Sequence, residues 1–217
     1  YTLNLEFLLH LFIAGFGFYK LLQAQRVTWL LSILLAMSYM LSGFMIGNAQ
    51  HLGWIVSAAW LPWLTLYLSL LMNQPNTLNM IIFSVIGYLF FAGGYLAIFF
   101  ITLYFILFYV LNTLIRQQRY RMKRLLFVSG ALLIIIFLSS PILYSLYELS
   151  PVLDRVSPEV MGDQFNVNYG ATPINGVLAM LLPFASGIFN VSEIDFGTFS
   201  TYLGVIPLIL LVVRLKY

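Results

Sequence analysis

Glu6 and His10 stand four residues apart in an apolar stretch, a spacing that sets both side chains on one helical face and within reach of each other. An ionisable pair surrounded by hydrocarbon is costly unless it meets protein or water, so the pair is a candidate for catalysis or substrate handling. The plainer alternative has Glu6 reaching up to the headgroups while His10 bonds a neighbouring helix. A second group, Asn48, Gln50 and His51, is followed by Trp54 and then by Trp60-Leu61-Pro62-Trp63. A neutral imidazole among amides and indoles suits a sugar, which is held by hydrogen bonds together with flat aromatic faces. It equally describes an interfacial turn with its aromatic belt.

Arg155, beside Asp154, forms a third group. A guanidinium holds phosphate with a fork of two parallel donors, and a lipid-linked phosphate would lie at the height expected for this residue. The alternative is an ion pair with Asp154, Glu148 or Glu159 on a solvated loop. Glu148 and Asp154 could serve as a general base or as metal ligands, or simply solvate that loop. Asn190-Val191-Ser192 matches the N-glycosylation acceptor pattern, which has meaning only in a secretory pathway. Signatures of soluble enzymes are missing: there is no GxGxxG, P-loop, GxSxG or HExxH. With two histidines and no cysteine, neither a histidine-rich nor a thiolate metal site is expected. No cofactor is evident, and a divalent metal is compatible with the carboxylates but not called for by the sequence.

These groups need a scaffold, and composition names its kind. A chain that is 62% hydrophobic and 8% charged, with a mean hydropathy of +0.97, lacks the charge to cover a water-facing surface. An integral membrane protein in contact with membrane lipids is expected. The net charge of +3 could hint at nucleic acid, but the cations gather at the ends of apolar runs instead of forming one basic face, so no nucleic-acid partner is expected. The chain opens at Tyr1 without a charged leader and reads as an internal fragment of a longer protein.

Apolar runs at 3–22, 27–45 and 52–72 each approach the roughly 20 residues that a helix needs to cross the bilayer. The run at 80–111 would make a helix of roughly 48 Å, too long for one ordinary span, and Gly93-Gly94 lies near its middle. Parity settles how to read it. Arg116, Arg119, Arg121, Lys123 and Arg124 form a basic cluster expected inside the cell, as are Lys20 and Arg26. Only a two-span hairpin broken at the paired glycines returns that cluster to the same side. The expected architecture is therefore an all-α, polytopic transmembrane helix bundle. Six spans fill 1–147, with outer turns near 43–51 and 93–94 and a cytoplasmic loop at 113–124. The last of these spans, 125–146, is bent near its outer end by Pro141. An outer-face segment at 148–200 carries an interfacial helix at 171–188, and a seventh span follows within 201–217. Nine of the ten basic residues then face the cytoplasm, with Arg155 the exception.

The order of short motifs resembles the bacterial YfhO family of multi-pass membrane proteins. Those motifs are Tyr39-Met40-Leu41-Ser42-Gly43-Phe44, Asn48-Ala49-Gln50-His51, Trp60-Leu61-Pro62, Ala92-Gly93-Gly94-Tyr95 and Ser140-Pro141-Ile142-Leu143-Tyr144 with Glu148. Leu181-Leu182-Pro183-Phe184-Ala185 and Tyr202-Leu203-Gly204-Val205-Ile206-Pro207-Leu208 continue it. The resemblance implies a glycosyltransferase of GT-C architecture in the bacterial cytoplasmic membrane, moving a sugar from a polyprenyl-phosphate carrier to a cell-envelope polymer at the outer face. It also implies that the catalytic carboxylate belongs to an outer loop upstream of Tyr1. On that reading Arg155 holds the donor phosphate, while His51 and Trp54, with Glu6 and His10, line the sugar pocket. A transporter or lipid flippase using Glu6 and His10, or a non-catalytic assembly subunit, are the competing expectations.

Overall fold

The structure is a computed structural model that describes residues 2–149. Arg155, Asp154, the segment at 171–188 and the span expected within 201–217 lie outside the described residues. In chain order the helices are α1 (Thr2–Ala24), α2 (Trp29–Met40), α3 (Gly43–Gly47), α4 (Leu52–Asn73), α5 (Thr77–Ala92), α6 (Leu96–Arg116) and α7 (Arg121–Leu149). Counting α2 and α3 as one 19-residue segment, five helical segments are long and apolar enough to cross a membrane. At 16 residues α5 is shorter, about 24 Å of helix.

The expected break at the paired glycines is present. Gly93 caps α5, and Gly94 takes φ +76°, a left-handed conformation that costs glycine nothing. The run at 27–45 departs from expectation, because it is not one uninterrupted helix. The amide N–H of Leu41 still reaches Met37 O at 2.9 Å, but that of Ser42 falls back to Tyr39 O at 3.2 Å, and α3 restarts at Gly43. The basic segment is also more helical than the sequence suggested: α6 runs to Arg116 and α7 starts at Arg121, leaving four residues as the loop.

Helix α4 is the centre of the bundle. It packs against α1 on one side and α5 on the other; α2 covers α1, α7 covers α5, and α6 touches α4. Small residues permit the closest approaches. A Cβ on Gly17 would collide with the indole of Trp63, whose Nε1–H donates to Ile13 O at 2.9 Å. That bond holds Trp63 against α1. Leu64, Leu68, Leu71, Phe83, Phe90 and Ala131 form a buried cluster joining α4, α5 and α7.

Two prolines lie inside helices, Pro62 in α4 and Pro141 in α7. Each deprives the carbonyl four residues earlier of its usual N–H donor, a serious loss where no water can substitute. In both cases a hydroxyl takes over. Tyr39 Oη–H donates to Ala58 O at 2.8 Å, and Ser140 Oγ–H donates to Phe137 O at 2.7 Å. Helix α7 thereby continues through Pro141 to Leu149. Tyr39→Phe removes only the hydroxyl and is expected to lower stability by about 1–3 kcal/mol, the cost of an orphaned buried carbonyl. A detergent-based unfolding titration of the Phe variant beside Tyr39→Phe/Pro62→Ala checks the cause, because restoring the amide at position 62 should recover much of the loss.

Contacts along the helices give the direction of each. Gly15 meets Met40 and Gln23 bonds Ser32, so α2 runs antiparallel to α1. Gly53 meets Gly93 while Asn79 bonds Leu70 O, so α5 runs antiparallel to α4. Met80 lies near Gly130 and Ile135 near Gly87, so α7 runs parallel to α5. All seven cations among the described residues, Lys20, Arg26, Arg116, Arg119, Arg121, Lys123 and Arg124, thus belong to one end of the bundle. The two described carboxylates, Glu6 and Glu148, belong to the other.

Candidate functional site

The end that carries the carboxylates also carries a built group of rings. Asn48 is the C-cap of α3 and fully buried, and its Nδ2–H donates to Phe44 O at 2.9 Å. The amide N–H of His51 donates to Asn48 O at 2.8 Å and closes the turn. His51 then precedes α4, so Trp54, three residues on, sits above it on the same helical side. The imidazole stacks on the indole with centroids 4.4 Å apart and planes inclined by 23°.

Tyr95 completes the stack from a different helix. Its ring lies 4.2 Å from that of Trp54 and within 18° of parallel. The position follows from the glycine turn. Gly53 and Gly93 bring the start of α4 against the end of α5 so closely that a Cβ on either would strike backbone oxygen of the other, and Ser57 Oγ–H donates to Phe90 O at 3.3 Å across the same contact. The left-handed Gly94 then redirects the chain so that Tyr95, the N-cap of α6, lies over Trp54. His51, Trp54 and Tyr95 are each half-buried, with both packing and an open side.

The ring stack offers flat apolar faces bordered by polar groups. Gln50 Nε2 lies 3.3 Å from His51 Nε2, on the exposed rim. An arrangement of this kind can hold a ligand that has C–H faces for the rings and hydroxyls for the imidazole, phenol and amide.

The sequence-derived candidates divide accordingly. Gln50, His51 and Trp54 come together, with Asn48 beneath them as the residue that shapes the turn and not as an exposed contact. Glu6 and His10 share their helical face but do not pair through their side chains: His10 Nδ1 is 2.9 Å from the backbone oxygen of Glu6, and the Glu6 carboxylate is exposed. Neither makes a hydrogen bond or ring contact with the stack. Glu148 is exposed near the end of α7. Asp154 and Arg155 lie outside the described residues. Among the described residues no three His, Asp or Glu gather as metal ligands. Tyr95 was missed as a site residue, although the paired glycines before an aromatic residue are a turn signal that could have found it.

On the α1/α4 side an apolar groove of about 350 Å³ is lined by Phe12, Ile13, Phe16, Trp60 and Trp63. Its lining is apolar and largely aromatic. No family model, curated protein or solved structure matches this chain.

Proposed function

We propose that the chain belongs to a membrane-embedded glycosyltransferase that moves a sugar from a polyprenyl-phosphate donor to a cell-envelope acceptor at the outer face of the bacterial cytoplasmic membrane. The observation that carries this reading is the His51–Trp54–Tyr95 stack, set at the end of the bundle opposite every described cation. Basic loops favour the cytoplasm, so the stack belongs on the outer side. The family resemblance of the motifs points the same way, with GT-C architecture as its implication. In the transfer, the acceptor oxygen bonds to the anomeric carbon, the bond from that carbon to the phosphate oxygen breaks, and a carboxylate takes the acceptor proton. Arg155 is assigned to the carrier phosphate, the ring stack to the sugar, and the groove beside Trp60 and Trp63 to the isoprenoid chain.

The competing transport reading predicts polar groups and broken helices around mid-membrane. The described charged residues lie instead toward the two ends, and the break at 93–94 adjoins the ring stack.

The test uses the full-length protein in sealed, oriented vesicles supplied with polyprenyl-phosphate-linked radiolabelled glucose. Labelled envelope polymer should form on the face opposite the basic loops. Trp54→Ala should reduce transfer on the order of tenfold, the value of one well-placed stacking face. Movement of intact donor across the vesicle without glucose leaving its phosphate would establish the flippase reading instead.

A further inference from the structure

The opposite end of the bundle carries a second cleft that sugar transfer does not use. Its volume is about 360 Å³, and it is lined by Asn73, Gln74, Pro75 and Asn76 from the α4–α5 loop and by Tyr120 and Lys123 from the start of α7. We propose that this cleft binds the phosphate of an anionic phospholipid headgroup in the leaflet that faces the basic loops.

Charge is the first reason. None of the described carboxylates lies at this end, so no described carboxylate balances the seven cations there. The exposed Lys123 ammonium has an aromatic neighbour, with Nζ 5.7 Å from the Phe127 ring centroid. An ammonium held at a bilayer surface attracts anionic headgroups, and a cleft between helix ends gives one of them a defined seat.

Preorganisation is the second. Tyr120 has φ +61°, a strained conformation for a bulky residue that persists only where its surroundings impose it. Arg124 imposes it. Its Nη1 donates to Gln117 O at 2.9 Å and Arg119 O at 2.7 Å, while its amide N–H donates to Tyr120 O at 3.0 Å. The loop is thus locked with the Tyr120 ring beside Lys123. Arg119 Nη2 donates to Tyr120 Oη at 3.1 Å, which leaves the phenolic proton to be donated outward. Lys123 and the Tyr120 hydroxyl give a phosphate one cationic and one neutral donor.

This inference is independent of the glycosyltransferase reading and rests only on the bundle lying in a bilayer. The test is lipid retention by the purified full-length protein from mixed phosphatidylglycerol and phosphatidylcholine vesicles, read by native mass spectrometry. Phosphatidylglycerol should be retained in excess of its bulk fraction. Lys123→Gln should lower that preference about fivefold, one cation's share at an anionic surface. Lys20→Gln, which removes a cation at the same end but outside the cleft, should leave it unchanged, and both variants should unfold as the parent does. Equal losses in the two variants would reduce the effect to diffuse attraction and overturn the site. Binding of labelled inorganic phosphate that depends on Lys123, with no preference for phosphatidylglycerol, would overturn the lipid assignment in favour of a free anion.

Discussion

Replacing Arg124 with Ala should destabilise the bundle by about 3–5 kcal/mol, the largest loss expected from any single side chain here, because each of several neutral acceptors left unpaired costs about 1–3 kcal/mol where it is buried. Arg124 is 5% exposed, yet it lies in the stretch that from sequence alone is a solvated basic loop. Its guanidinium is spent on carbonyls. Nε donates to Met72 O at 2.6 Å, in the last turn of α4, and Nη2 donates to Gln117 Oε1 at 2.7 Å, on the C-cap of α6. Together with the two Nη1 bonds it gathers the C-terminal ends of two parallel helices, whose last carbonyls have no intrahelical donor and carry the negative end of the dipole. Removing it orphans those carbonyls together. Arg124→Lys keeps the charge but cannot reach three backbone oxygens at once, so it should recover less than half of the loss. Equilibrium unfolding in mixed micelles, with the fluorescence of Trp60 and Trp63 as the signal, measures both.

Gly53→Ala is the second large effect, because the added methyl meets the backbone oxygen of Gly93 and not the tip of a flexible side chain. Overpacking at a backbone contact costs about 1–3 kcal/mol. The consequence for the site should exceed that for stability. Pushing α5 away from α4 carries Tyr95 off Trp54, so saccharide binding should fall as far as in Trp54→Ala even where the helices remain folded. Gly87→Ala is the matched control. Its methyl meets the end of the Ile135 side chain, which can turn aside, and the ring stack is remote. Circular dichroism for helix content, paired with donor binding, separates the two effects.

What could be read from sequence was whatever depends on neighbours in the chain. The hairpin at Gly93-Gly94 followed from length and charge parity, and the meeting of His51 with Trp54 follows from a three-residue spacing at a helix start. What could not be read depends on which helices touch. Tyr95 reaches Trp54 only because α4 and α6 run parallel after a glycine contact between α4 and α5. Tyr39 serves Ala58 because Pro62 frees that carbonyl on a helix 19 residues away in the chain. Arg124 is indistinguishable from Arg121 or Lys123 until α4 places Met72 O beside it. Glu6 and His10 show the converse: their spacing correctly puts them on one face, but the imidazole turns to a backbone oxygen and no side-chain pair results.

The three stacked rings are proposed to face a sugar. This assignment is tested most directly by comparing, in nanodiscs, the affinity of the full-length protein for polyprenyl phosphate bearing glucose with its affinity for the bare carrier. The parent protein should prefer the glucose-bearing lipid on the order of tenfold, and Trp54→Ala should bind both alike, its hold on the bare carrier unchanged. Equal binding of the two lipids by the parent, or a preference that survives in Trp54→Ala, would contradict the assignment.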